Sequence, residues 1–306
     1  MRSQGRRPPR GRARGSADRA GARVRPVKRL IALAALLALA ACEKQPAGEP
    51  VIRTEIGSGV AEKAAAPSPT TPTPTPNVAS ACESATFEGA AFTHCVADPG
   101  KHRVLTDLGP KDGAPYRSLA KLAAARGDNA PKVAFAMNGG MYDGEGKPIG
   151  YYVENGDRLQ ELNRADGPGN FHMKPNGVFF GTGGKWQIRT ADDFYANVGD
   201  RPDFGTQSGP MLVIDGKLHP EISEDGPSKA IRNGVGIDAQ GRAHFVISQG
   251  PVSFGVIARY FRDVLKTPDA LFLDGSVSAL WDPATDRLDN RAPIGPMIVV
   301  EHKDKP

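Results

Sequence analysis

The residues best able to do chemistry in this 306-residue chain sit among glycines, in four clusters. They are Asn138-Gly139-Gly140, Gln207-Ser208-Gly209-Pro210, Arg232-Asn233-Gly234 and Asp274-Gly275-Ser276-Val277-Ser278. Asp274 is a candidate acid, base or nucleophile, and Arg232 offers a planar fork suited to a phosphate or carboxylate. Asn138, Asn233, Ser208, Ser278 and Gln207 add neutral donors and acceptors. The glycines let a backbone approach a ligand closely and leave N–H groups to donate. Each cluster alone also reads as an ordinary turn, since Asp-Gly and Asn-Gly are common turn dipeptides. Four together favour a site.

Other chemistries find little support. There is no Gly-x-Ser-x-Gly elbow, no dinucleotide fingerprint, and no histidine or cysteine spacing that matches a zinc motif. Among the six histidines His172 lies nearest the clusters, and a rim or core place suits it better than a general base. Asp143-Gly144-Glu145 lacks the ligand count of a calcium loop and reads as a turn. No cofactor is implied, although a divalent cation such as Ca²⁺ remains compatible.

The elements that must position these residues read as hairpins. Asn155-Gly156 and Asp215-Gly216 each join two apolar-rich runs, and each hairpin is followed by an Asn-Gly-Val triplet opening another, at Asn176 and Asn233. This doubling reads either as an old duplication or as the way any hairpin-rich fold spells its turns; the second is preferred. One short helix is expected near 118–126, started by Ser118 and stopped at Gly127, and another near 254–266, capped by Ser253. Val133–Met137 and Ala270–Leu273 are apolar runs of strand length, ending at Asn138 and Asp274. Strand, helix and strand across 243–273 form the one crossover-like unit. The expected fold is α+β: a hairpin-rich, mostly antiparallel or mixed β-sheet core with few helices.

Composition divides the chain into three. Residues 1–41 hold 11 of the 39 Lys+Arg and one of the 34 Asp+Glu. The remaining 265 residues carry 28 basic against 33 acidic side chains, which argues against a nucleic-acid partner. Val27-Lys28-Arg29, the apolar run Leu30 to Ala41 and the sequence Leu39-Ala40-Ala41-Cys42 resemble a bacterial lipoprotein signal. That resemblance implies acylation of Cys42 and a membrane anchor. With Glu43 next, it implies a periplasm-facing outer-membrane protein. The overlong basic start suggests initiation near Val24 or Val27. Residues 42–80, rich in Pro, Thr and Ala, are expected to be a flexible tether, and 81–306 a single domain. Cys82 and Cys95 then remain as a pair that an oxidising compartment would join. Oligomeric state is not legible.

Five motifs occur together in the order of one known family. Asn138-Gly-Gly-Met-Tyr142, Lys174-Pro-Asn-Gly-Val-Phe179, Gln207-Ser-Gly-Pro210, Arg232-Asn-Gly-Val-Gly236 and Leu273-Asp-Gly-Ser-Val-Ser278 resemble the phosphodiester glycosidases over roughly residues 85–300. An animal member of that family removes N-acetylglucosamine from a phosphodiester, and this chain looks closest to a bacterial single-domain branch. The resemblance implies hydrolysis of a sugar-1-phosphodiester in an envelope or extracellular glycan. Asp274 would act at the anomeric carbon and Arg232 on the phosphoryl oxygens, with Asn233, Ser208 and Ser278 donating beside it. Asn138 and the Gly139 and Gly140 amides would hold sugar hydroxyls or phosphate, with Gln207, Gly209, Gly275 and His172 on the substrate side. Where the animal enzyme reads Asp-Gly-Gly-x-Ser, this chain has Ser276 for the second glycine, which would narrow the pocket or move a backbone donor. Two alternatives stay open: a non-catalytic glycan-binding envelope lipoprotein, and a variant that transfers the sugar to another acceptor.

Overall fold

Two-residue turns in the left-handed region set the architecture. Asn155-Gly156 and Asp215-Gly216 have φ of 50° and 78°, and 47° and 75°, the conformation that matches the twist of an antiparallel pair. In the computed structural model, which describes residues 79–274 and 277–303, such turns recur at Glu88-Gly89 and Gly183-Gly184. The signal-like segment, Cys42 and nearly all of the tether lie outside the described residues, as do Gly275 and Ser276.

In chain order the first strands are β1 (Cys82–Phe87), β2 (Ala90–Ala97), β3 (His102–Asp107), β4 (Val133–Asn138), β5 (Tyr152–Glu154) and β6 (Asp157–Gln160). Then come β7 (Gly177–Thr182), β8 (Lys185–Thr190), β9 (Phe204–Ser208), β10 (Met211–Ile214), β11 (Lys217–Leu218) and β12 (Asn233–Ile237). The last are β13 (Ala243–Ser248), β14 (Asp269–Phe272), β15 (Leu280–Asp282), β16 (Arg287–Leu288) and β17 (Met297–His302). Three short helices accompany them: α1 (Leu119–Ala125), α2 (Ala191–Asn197) and α3 (Phe254–Arg259), the last continuing as a π-helical turn through Val264. The result is the expected sheet-rich α+β fold, and every strand pairing among the described residues is antiparallel.

The strands form three sheets, ordered β1-β2-β13-β12-β14-β10-β11, β16-β15-β4-β17-β3 and β6-β5-β9-β7-β8. Alternation gives each sheet two faces. One face of each contributes to a shared core that includes Phe245 and Leu271, Phe135 and Ile298, and Phe179 and Phe204. The opposite faces each take a helix. Ile257 and Ala258 of α3 pack on the seven-stranded sheet, Leu119 and Leu122 of α1 on the sheet of β4 and β17, and Phe194 of α2 on that of β5 and β7.

Local signals explain the helix starts. Ser118, Thr190 and Ser253 each accept a hydrogen bond from the N–H three residues on, at 3.2 Å in all three cases. The second was missed, although Thr190-Ala191-Asp192-Asp193 carries a cap and an acidic first turn. Gly127 is not the left-handed stop expected of it, since Arg126 caps α1 in an extended conformation. β1 and β2 form a hairpin that turns at Glu88-Gly89 with φ of 47° and 76°. Cys82 and Cys95 face each other across that hairpin and form a disulfide. Behind it, Glu83, His94, His244 and Asp238 form a hydrogen-bonded chain across β1, β2, β13 and the end of β12.

The doubled hairpins are a repeat of topology, against the preferred reading. β5–β6 and β7–β8 are followed by α2, and β9 then inserts between β5 and β7. β10–β11 and β12–β13 are followed by α3, and β14 inserts between β10 and β12. The crossover expected at 243–273 is therefore present, and β8–α2–β9 is a second one.

Candidate active site

Strand ends from all three sheets meet at a single polar seam. β4 delivers Asn138, β9 delivers Gln207 and Ser208, and the seven-stranded sheet delivers Asn233 at the start of β12 and Asp274 just past β14. All five side chains are buried. A carboxylate here is displaced from water, so its charge must be met by dipoles placed in advance.

Asn138 does most of that placing. Its Nδ2 donates to Asp274 Oδ2 at 3.1 Å and to the Val277 carbonyl at 2.6 Å. Its Oδ1 accepts from the Ala279 N–H at 2.8 Å and from Asn233 Nδ2 at 3.1 Å. All four valences of the carboxamide are therefore filled. Asn233 Nδ2 also reaches the Asn138 carbonyl at 3.1 Å, and Asn233 Oδ1 accepts from Ser278 Oγ at 3.1 Å. Ser208 Oγ donates to the Leu273 carbonyl at 2.7 Å, fixing the backbone immediately before the carboxylate. Four of the sequence-derived candidates (Asn138, Asn233, Ser278 and Asp274) thus form one hydrogen-bonded unit, with Ser208 bracing it.

Several expected roles change on this geometry. The Gly139 and Gly140 amides were expected to bind substrate, but they donate to the Pro296 carbonyl at 2.7 Å and to Thr206 Oγ1 at 3.0 Å. A Cβ on Gly140 would overlap the Gln207 carbonyl, so this glycine serves close packing of β9 against the β4 end. Gln207 is likewise spent: its Oε1 accepts from the Tyr151 and Asn163 N–H groups at 2.8 and 2.9 Å, and its Nε2 donates to the Asn163 carbonyl at 2.7 Å. It ties the 161–165 loop to the seam. A Cβ on Gly209 would crowd Asn176 and the Phe171 carbonyl, again a packing role.

Arg232 is the largest correction. It is 1% exposed, its Nε donates to the Val252 carbonyl at 2.9 Å, and its Nη2 donates to the Ser228 carbonyl and hydroxyl, both at 3.0 Å. The guanidinium lies 3.6 Å from the centroid of the Phe254 ring. Burial pulls its pKa down to about 10. A fork so enclosed and so engaged pins the 228–232 turn to α3 and aims Asn233, rather than presenting itself to a phosphate. His172 Nδ1 lies 3.0 Å from the Ala165 carbonyl and its ring packs over Gly167. Asp143 Oδ1 accepts from the Glu145 and Lys147 N–H groups at 2.9 and 3.0 Å, a local turn. Among the described residues no group of three His, Cys, Asp or Glu side chains could hold a metal ion.

Tyr142 borders the seam as well. Its hydroxyl donates to the Pro293 carbonyl at 2.8 Å. Its pKa is pushed up to about 12, first by burial and then by the charge of Asp274, with Arg117 opposing. Tyr142 ends the Asn138–Tyr142 motif, whereas Arg117 stands in none of the five motifs.

A three-sheet α+β domain with one buried, carboxamide-held carboxylate is the class of protein these features define. Residues 131–301 match the model of the phosphodiester glycosidase family, and the chain belongs to that family. Membership points to a hydrolase acting on sugar phosphodiesters. The chain is 40% identical over 172 residues to an uncharacterised protein of Escherichia coli K12, YigE, covering 56% of this chain and 67% of that protein. Among solved structures it is similar to the catalytic domain of zebrafish N-acetylglucosamine-1-phosphodiester alpha-N-acetylglucosaminidase, auto-inhibited by its pro-peptide. That likeness has a TM-score of 0.48 at 15% identity and covers 73% of this chain and 82% of that one. A putative exported protein of Burkholderia pseudomallei aligns with a TM-score of 0.46 at 10% identity, covering 69% and 74%.

Proposed function

We propose that this protein is an exported hydrolase that cleaves the bond between the anomeric carbon of a sugar and the phosphate of a phosphodiester. The observation that carries the proposal is the buried Asp274 carboxylate, held by Asn138 at 3.1 Å where the three sheets meet, in a chain that belongs to the phosphodiester glycosidases. A phosphodiester is a good leaving group, so the reaction needs less general-acid help than an ordinary glycosidase and more control of charge at carbon and phosphorus. Asp274 supplies the carboxylate at the anomeric carbon, as nucleophile or as base for water. Asn138, Asn233 and Ser278 hold it in place, and Arg232 positions Asn233 from behind. The anomeric configuration of the released sugar separates the two roles, retention marking the nucleophile.

Export is part of the same proposal. The Cys42 lipobox supplies the membrane anchor, the tether holds the domain off the outer membrane on its periplasmic side, and the Cys82–Cys95 disulfide suits an oxidising compartment. The substrate is a glycosyl phosphodiester of an envelope or extracellular glycan. The test incubates the full-length protein with model sugar-1-phosphodiesters and follows free sugar. Asp274→Asn should lower turnover by about 10²–10⁴-fold while the protein stays folded. Full turnover by a folded Asp274→Asn would remove Asp274 from the chemistry, and a wild-type protein that binds such compounds without releasing sugar would mark a binding protein instead.

A further inference from the structure

We infer that Arg117, which no family motif contains and which precedes the 131–301 match, is the residue that grips the phosphate of the substrate at the Asp274 site. The inference rests on the phosphodiester reading above and replaces Arg232, whose Nε and Nη2 are taken by Val252 and Ser228, as the phosphate ligand.

Four observations carry it. First, among the described residues Arg117 Nη1 is buried without a hydrogen-bond partner, and no carboxylate lies within 4.0 Å of this guanidinium. A buried donor left unmet is costly and persists where something else completes it, and a planar fork is best completed by a phosphate. Second, the side chain is held in place without using its donors. Its guanidinium carbon lies 5.3 Å from the centroid of the Tyr142 ring. A Cβ on Gly146 would overlap that guanidinium, and one on Gly295 would overlap the Tyr142 ring, so two glycines make room for the pair.

Third, the backbone of Arg117 is itself unusual. Its φ is +62°, a left-handed conformation that side chains with a Cβ seldom adopt, and its carbonyl accepts from the Ile294 N–H at 3.0 Å. Such strain persists only where surrounding structure enforces it, and it clusters at ligand sites. Fourth, the 293–296 segment ties Arg117 to the seam. The Pro293 carbonyl accepts from the Tyr142 hydroxyl at 2.8 Å, and the Ile294 N–H donates to the Arg117 carbonyl at 3.0 Å. The Pro296 carbonyl accepts at 2.7 Å from the N–H of Gly139, next to the Asn138 that holds Asp274. The raised pKa of Tyr142, which feels the charges of both Asp274 and Arg117, agrees with this placement. A phosphodiester spanning them would set its sugar at Asp274 and its phosphoryl oxygens at Arg117, on the leaving-group side of the bond that breaks.

The experiment titrates inorganic phosphate into the full-length protein and into Arg117→Gln, Arg117→Lys and Arg158→Gln, followed by calorimetry. Arg158 is an exposed control paired with Glu161 on the surface. Arg117→Gln should weaken phosphate binding by about 10–100-fold, the loss expected for charge-assisted hydrogen bonds. Arg117→Lys should keep part of it, and Arg158→Gln all of it. Melting temperatures of the Arg117 variants should stay within about 2 °C of wild type, because a guanidinium without hydrogen bonds among the described residues is not a structural brace. Equal affinity in Arg117→Gln and wild type, or no phosphate binding by wild type at all, overturns the inference. Hydrolysis measured in parallel keeps the two readings apart: phosphate held through Arg117 with no turnover by wild type sinks the proposed reaction and leaves Arg117 as an anion site.

Discussion

Replacing Asn138 by Asp changes one atom group and tests the seam directly. The new carboxylate keeps the acceptor that serves the Ala279 N–H and Asn233 Nδ2. It puts an oxygen where Nδ2 now donates, 3.1 Å from Asp274 Oδ2 and 2.6 Å from the Val277 carbonyl. Two ionised carboxylates at that separation repel by about 5 kcal/mol at an effective dielectric near 20. Holding one proton at pH 7 against an ordinary carboxyl pKa near 3.9 costs about 4 kcal/mol, so the pair in the variant keeps a shared proton. The native state of Asn138→Asp then binds a proton that its unfolded state releases. Its stability is highest in acid and is lost as pH rises. Between pH 5 and pH 7 the loss relative to wild type should grow by about 3 kcal/mol, or roughly 6–10 °C in melting temperature for a domain of this size. Hydrolysis at pH 7 should fall at least about 2-fold, because a proton shared between the two carboxylates neutralises Asp274 about half of the time. Thermal melts at the two pH values decide the matter. A folded Asn138→Asp whose melting temperature tracks wild type at both would refute the direct Asn138–Asp274 bond.

The disulfide and a half-buried carboxylate give two further expectations. Converting Cys82 and Cys95 to Ala should cost about 2–4 kcal/mol in chemical denaturation, since the bond closes a short loop across β1 and β2; an unchanged midpoint would show that the strand ladder alone holds the hairpin. Asp107, at the end of β3, has its pKa raised to about 6, first by burial and then by the Glu154 carboxylate, with Arg126 opposing. A raised carboxyl pKa contributes stability below about pH 4 that disappears as pH passes through 6. Asp107→Asn should therefore melt about 2–4 °C above wild type at pH 8 and show no such gain at pH 4; an equal shift at both values would locate the effect in packing.

What could be read from the sequence was what neighbouring residues decide. Asn155-Gly156 and Asp215-Gly216 are turns because glycine and a short amide or carboxylate tolerate positive φ, and nothing distant is needed to see it. Ser118 and Ser253 cap helices through bonds that span three residues. Glu88-Gly89 makes the same kind of turn but with a residue that seldom signals one, so the first hairpin was hidden. The convergence of Asn138, Asn233, Ser278 and Asp274 was legible from their shared setting among glycines at strand ends. Their division of labour was not. Whether a carboxamide is free for substrate depends on partners as remote as Asp274, 136 positions along the chain from Asn138, and spacing along the chain says nothing about who fills whose lone pairs. Arg232 looked like a phosphate fork for the same reason: the sequence shows a fork, while the carbonyls that occupy it arrive from Ser228 and Val252 only on folding.

The repeated topology explains why the carboxylate sits where it does. In one copy Gly177 faces Ser208 across β7 and β9, and in the other Gly234 faces Phe272 across β12 and β14. Two residues beyond those partners stand Pro210 and Asp274, which makes them equivalent positions. Each copy also places an asparagine just before its glycine, Asn176 in the first and Asn233 in the second. Asn176 spends its carboxamide on the Phe171 carbonyl at 2.8 Å and on Gln207 at 3.4 Å, within its own copy. Asn233 instead reaches out to Asn138 and Ser278. The first copy therefore closes on itself and runs through Pro210 into β10, whereas the second opens its equivalent end towards β4. One copy supplies scaffold, the other supplies the carboxylate, and β4 from a different sheet supplies the amide that holds it. An active site at this point needs the two copies to differ, and the residue that distinguishes them is Asp274.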